Sequence, residues 1–154
     1  MRNRKRQYLS AFACLMLCVA LTGCKDDAYT AAAKATDDVA TAVGQATAGT
    51  ADLYNAGVIT KDEKNAVAIV LLNLVDGNTE FRNKVKELHA KPATTKTDYL
   101  NAASSFVQSG RNLLASGDLH VKNADGQKKL DLWLQAIQTG LSGVATAIQS
   151  AKGS

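Results

Sequence analysis

The sequence predicts an all-α protein, an up-and-down four-helix bundle with helices at about 27–56, 61–89, 97–115 and 124–151. Three observations predict it. Apolar residues recur every three or four positions through four long stretches, the spacing that gathers them on one face of an α-helix. Proline occurs once in 154 residues and aromatics make up only 5%, while alanine is abundant, a composition that favours helices over strands. Capping and turn residues separate the stretches by short connections, and short connections make successive helices antiparallel neighbours.

A leader precedes the first helix. Arg2, Arg4, Lys5 and Arg6 form a positive segment, and Tyr8 to Leu21 follows as an apolar run broken only by Ser10. That run has the length of a signal-peptide core and falls short of the roughly 20 residues that span a bilayer. The small residues Thr22 and Gly23 then lead into Cys24. Leu21-Thr22-Gly23-Cys24 resembles the lipobox of bacterial lipoproteins: an aliphatic residue, two small ones and the cysteine. The resemblance covers residues 1–24. It implies cleavage between Gly23 and Cys24, diacylglycerol on the Cys24 sulfur, and a further acyl chain such as palmitate on the new amine. Each buried methylene contributes about 0.8 kcal/mol, so two or three chains moor a protein where one holds it only marginally. Lipoproteins kept in the inner membrane tend to carry aspartate after the cysteine. Lys25 therefore implies the outer membrane, facing the periplasm. The expected organisation is a signal peptide at 1–23, an acylated cysteine and tether at 24–27, and a bundle domain at 28–152.

This organisation changes how composition is read. The chain has 18 basic and 14 acidic residues, and four of the basic ones lie in the leader, which leaves a formally neutral mature chain. The pI near 9.0 then gives no support for a nucleic-acid partner. Cys14 and Cys18 also leave with the leader, so a mature chain with Cys24 acylated has no thiol for a disulfide even in an oxidising compartment.

The first helix carries Ala28, Ala32, Ala35, Val39, Ala42, Ala46, Gly49, Leu53 and Ala56 at spacings of four and three, with Asp26 or Asp27 as its cap. These small residues let another helix approach closely. Two readings stand: a seam inside the bundle, or a face for dimerisation or partner docking built on Ala32, Val39, Ala42, Ala46, Gly49 and Leu53. Gly57 suits the left-handed residue that ends the helix. Thr60-Lys61-Asp62-Glu63 is a capping box for the second. There Val67, Val70, Leu74, Phe81, Val85 and Leu88 form the stripe, and Ala66, Ile69, Leu71, Leu72 and Val75 widen it, so this half is expected to be the most buried. Asp76-Gly77-Asn78 could break the helix, but the stripe resumes in register at Phe81, which predicts a continuous or kinked helix.

Pro92 lies in the next connection, and Thr95 or Thr97 caps the third helix with Tyr99, Ala103, Phe106, Gly110 and Leu113 in line. Ser116-Gly117 ends it. In the connection that follows, Leu119 and Val121 flank His120, and the alternation suggests a functional loop that folds back to plug the bundle end. Asn123 or Asp125 caps the fourth helix, whose seam is Leu130, Leu134, Ile137, Leu141, Val144 and Ile148, with Trp133 beside it as core. The third helix is the shortest, so an uneven bundle is expected to expose a groove near one end.

No catalytic constellation is visible. Met1 and Met16 both lie in the leader, no Cys-x-x-Cys-His or Gly-x-Ser-x-Gly occurs, and no phosphate-binding loop is present. His89 and His120 fall at opposite ends of a helix roughly 28 Å long, so they cannot share a metal. The expectation is a non-enzyme without cofactor or metal: a lipid-anchored envelope module that binds another envelope protein or a second copy of itself. A small-molecule or lipid carrier with a cavity in the bundle is the alternative. Size and location also suit a phage- or plasmid-type exclusion lipoprotein, although no residue points there.

Overall fold

The structure, a computed structural model, describes residues 26–115 and 119–151 in full. Its elements are α1 (Arg2–Asn55), α2 (Lys61–Ala90), α3 (Lys96–Ser116) and α4 (Ala124–Ser150). Successive helices pack against each other, and α1 closes the ring against α4. This is the four-helix bundle that the stripes predict. The leader, with Gly23, Cys24 and Lys25, lies outside the described residues, as does Gly117.

Local chemistry sets the helix ends. Gly57 adopts φ +69°, a conformation glycine takes without steric cost, and Val58 N–H reaches back 2.9 Å to the Leu53 carbonyl. Thr60 and Glu63 form the reciprocal capping box of α2. Thr95, not Thr97, caps α3: its amide donates to the Asp98 carboxylate at 2.8 Å, a bond that holds that carboxyl below its ordinary range. Asn123 caps α4 by accepting from the amides of Asp125 and Gly126, each at 3.0 Å. At the last turn of α4, Lys96 Nζ donates to the carbonyls of Gln149 and Ala151, both at 2.7 Å.

Helix α1 is the centre of the packing. It touches α2 and α4 as ring neighbours and also meets α3 across the diagonal, whereas α2 and α4 do not meet. Its buried face explains this: Ala28, Ala32, Val39 and Ala46 are fully buried, with Ala35, Val43 and Leu53 nearly so. Short side chains bring helix axes together, so one helix can reach three others. The expected docking face of Ala32, Val39, Ala42, Ala46, Gly49 and Leu53 is therefore covered by the chain's own helices, Ala42 and Gly49 being half-buried at its edge. Two notches add register. A Cβ on Gly49 would lie 2.1 Å from Trp133 Cζ2, and one on Gly110 would lie 2.8 Å from Leu141 Cδ1. The large residues sit on the other helices, with Phe81 and Phe106 stacked between α2 and α3 at 4.8 Å and 6°.

Two expectations need correction. Thr36 falls off the sequence stripe, yet it is buried, as are Thr50 and Asn78. With neighbours on three sides, α1 buries more arc than one stripe. The hydroxyls of Thr36 and Thr50 donate to the carbonyls of Ala33 and Ala46, and Asn78 Nδ2 donates to the Thr36 carbonyl at 3.1 Å. Asp76-Gly77-Asn78 makes no break, and α2 is continuous, as the register at Phe81 predicts. The second correction concerns the first half of α2. Leu71 is buried, but Ile69, Leu72 and Val75 are 60%, 62% and 45% exposed. They occupy the arc opposite Val67, Val70 and Leu74, and no helix covers that side.

Gly49→Val gains a few tenths of a kcal/mol in helix propensity but must displace the Trp133 indole, for a net loss of about 1–3 kcal/mol in urea unfolding. Gly44 has nothing within 4 Å of its Cβ position, so Gly44→Ala should instead stabilise by up to about 1 kcal/mol. Equal effects of the two substitutions would contradict the seating of the indole on α1.

Candidate functional site

At the end of the bundle where α1 turns into α2, one carboxylate joins two connections. Glu63 Oε2 accepts from the Thr60 amide at 2.7 Å and the Thr60 hydroxyl at 2.8 Å, while Oε1 accepts from the Lys122 amide at 2.8 Å. The Lys122 amide is the largest cause of a carboxyl pulled down to about 2, followed by the Thr60 amide and hydroxyl. The loop expected to be functional sits here. Val121 is buried and its amide donates to Gln127 Oε1 at 2.6 Å, Leu119 is half-buried against the core, and His120 is exposed. Gly126 fits beneath Val121, Val58 and Ile59, where a Cβ would stand 3.1 to 3.4 Å from each. The loop is thus the plug that its alternation predicts, with His120 left at the surface. Sequence reasoning finds the capping half of the Glu63 role but not the link to Lys122, which depends on two loops meeting.

The opposite end gathers titratable side chains from three helices. The Tyr29 and His89 rings stack with centroids 4.0 Å apart, and Asp26 Oδ1 lies 3.9 Å from His89 Nδ1. Tyr99 is fully buried and its hydroxyl has no hydrogen-bond partner. Burial first, and then the charge of Asp26, pushes that hydroxyl up to about 12, so it stays neutral at any physiological pH. No base stands within hydrogen-bonding reach of it. His89 and His120 lie at opposite ends, and among the described residues no three His, Cys, Asp or Glu side chains converge as a metal site.

Three surfaces remain. One is the exposed aliphatic line Ile69, Leu72 and Val75 on α2. Another is a groove of about 570 Å³ between α2 and α3. Gly77, Glu80 and Lys84 line it from α2, and Asp98, Asn101 and Ser105 from α3, above buried Phe81 and Phe106. It runs from the bundle end at the α2–α3 connection, at Leu88 and Asp98, to the middle of the pair at Gly77 and Ser109. Small side chains along α3, including Ala102, Ser105 and Ser109, leave the space. A second groove of about 480 Å³ follows α1 and α4 over Ala35, Gly140, Gly143 and Ala147.

The chain matches no protein-family model, no curated protein sequence and no solved structure. Function must therefore be argued from these surfaces and from the sequence. Among the described residues, no helix is long and apolar enough to cross a membrane.

The folded Glu63 carboxyl titrates near 2 against an ordinary 4.5, so its stabilisation is complete above pH 4.5 and is lost as pH falls toward 2. Glu63→Gln is expected to lower Tm at pH 7, and the gap to the parent should close at the acid end. The same Tm difference at both pH values would mean that the carboxylate's charge is not what the three donors hold.

Proposed function

We propose that this chain is a lipid-anchored helical module of a bacterial cell envelope, moored through Cys24, that acts by binding another envelope protein and not by catalysis. The anchor reading rests on Leu21-Thr22-Gly23-Cys24 behind a basic, short apolar leader. The observation that carries the binding reading is the aliphatic line of α2. Single exposed apolar side chains are ordinary, but three large ones in succession on one helix arc form a patch that water covers at a cost.

Topology gives the patch a position. Some thirty residues of α1 rise from Asp26 to Asn55, and α2 returns, so Ile69 to Val75 stand roughly 25–30 Å along the bundle from the tether. A module moored at Cys24 would hold this line clear of the lipid surface, toward the aqueous side. The formal neutrality of the mature chain fits a protein partner better than a polyanion.

Two measurements test the two halves separately. Intact mass of the protein isolated from cells should show loss of residues 1–23 and gain of acyl mass, and Cys24→Ser should abolish both and release the chain from membranes. A parent retaining its basic leader would end the anchor reading. For the binding half, a photo-crosslinking residue at Leu72 should trap one discrete adduct in intact cells, and the same residue at exposed Gln45 should trap none. The pair Ile69→Ser and Val75→Ser should remove that adduct while changing stability by less than about 0.5 kcal/mol per site. No adduct at Leu72, or an adduct indifferent to the pair, would overturn it.

A further inference from the structure

We infer that the groove between α2 and α3 is a binding site for a small organic amine with an apolar tail. The space itself is the first observation. About 570 Å³ falls within the range of small-molecule sites, and the groove extends from Gly77 to Leu88 along α2, roughly 16 Å. Its floor is apolar: Phe81 and Phe106 lie parallel at 4.8 Å, with Leu88 and Ala102 beside them.

The second observation is Gly77. A glycine in mid-helix weakens the helix, and packing usually explains its presence. Here packing does not, because a Cβ would meet only Phe106 Cε2, at an ordinary 3.9 Å. What the missing side chain does is leave one end of the groove open above the Phe106 ring.

The rim charge selects the ligand. Glu80 has no ionic or hydrogen-bond partner among the described residues. Asp98 lines the Leu88 end of the groove from α3; it is ionised at neutral pH and its carboxylate accepts from the Thr95 amide and hydroxyl. The one cationic side chain of the lining, Lys84, is drawn away along the helix to Glu87 at 3.1 Å. Glu80 is thus the one unengaged charge of the lining, and with the capping carboxylate of Asp98 at the far end it makes a net acidic rim over an aromatic floor. An ammonium at Glu80 with its hydrocarbon over Phe81 and Phe106 satisfies both, while a carboxylate ligand would meet Glu80 unpaired. The inference rests on the groove alone, independent of Cys24 and of the Leu72 line.

The test is a titration of the ¹⁵N-labelled full chain in zwitterionic detergent with 4-phenylbutylamine, and in parallel with 4-phenylbutyrate, followed by amide chemical shifts. Saturable shifts confined to the Gly77–Leu88 and Asp98–Ser109 segments are expected, with the amine binding about tenfold or more tightly than the acid. Glu80→Gln should weaken amine binding about threefold to fivefold, the range of a solvent-exposed charge pair. Ser105→Phe, at an exposed position, should fill the groove and remove the shifts while the remaining spectrum stays folded. Equal binding of amine and acid, shifts spread over other surfaces, or an unchanged affinity in Glu80→Gln would each overturn the site. So would groove shifts that follow protein concentration without amine, which would make the occupant a second copy of the chain.

Discussion

The bundle depends on how closely α1 approaches its neighbours. A helix whose buried positions are nearly all alanine, valine or threonine gains little from the area of any single side chain, on the order of one to three buried methyls each. It gains instead from proximity: backbones draw together, and the large residues of the other helices pack directly onto the α1 surface. Trp133 seated on Gly49 shows the pattern, and Leu141 over Gly110 repeats it between α3 and α4. Such notches accept one partner at one height, so they fix the axial register as well as the spacing. Cross-helix polar links then become possible, and the Asn78 amide on the Thr36 carbonyl is one that only a close pair can make.

From that register follow the two ends. Helices held at one height bring the α1–α2 and α3–α4 connections together, where a single carboxylate serves both. At the other end, Tyr29, His89 and Tyr99 close the core while Lys96 holds the last turn of α4. A body fixed at both ends presents surfaces rather than moving parts. Its two most distinctive surfaces occupy different flanks of α2: Glu80 and Lys84 turn toward α3, and Leu72 turns away from the bundle. Occupying one leaves the other accessible.

Much of this was legible in the sequence. The four stripes, Gly57, the Thr60–Glu63 box and the seam through Ile137 and Leu141 are local patterns, and local patterns survive folding because caps and helical periodicity act within a few residues. What was not legible depends on which helix stands where. Leu72 and Leu71 are the same residue type one position apart, and only the positions of α1 and α3 decide that one is buried and the other faces water. Thr36 reads as a surface residue until a third neighbour is known. The groove shares this limit. Gly77 reads in sequence only as a helix irregularity, Ala102 and Ser105 as ordinary small residues, and the three leave a space only when brought face to face. The acylation proposed at Cys24 is the reverse case, a chemistry that would be read from four residues with no part for tertiary structure.

The charged side chains have a further consequence. The pairs Arg82–Asp37, Lys84–Glu87 and Lys128–Asp125 all join groups that face solvent, and such pairs contribute little and are screened by salt. The interior that aligns the helices is apolar, and its few polar groups bond mainly to neighbouring backbone. Shape in this protein is therefore nearly independent of ionic strength, so the body would stay rigid through swings of salinity that reset the electrostatics of its rim.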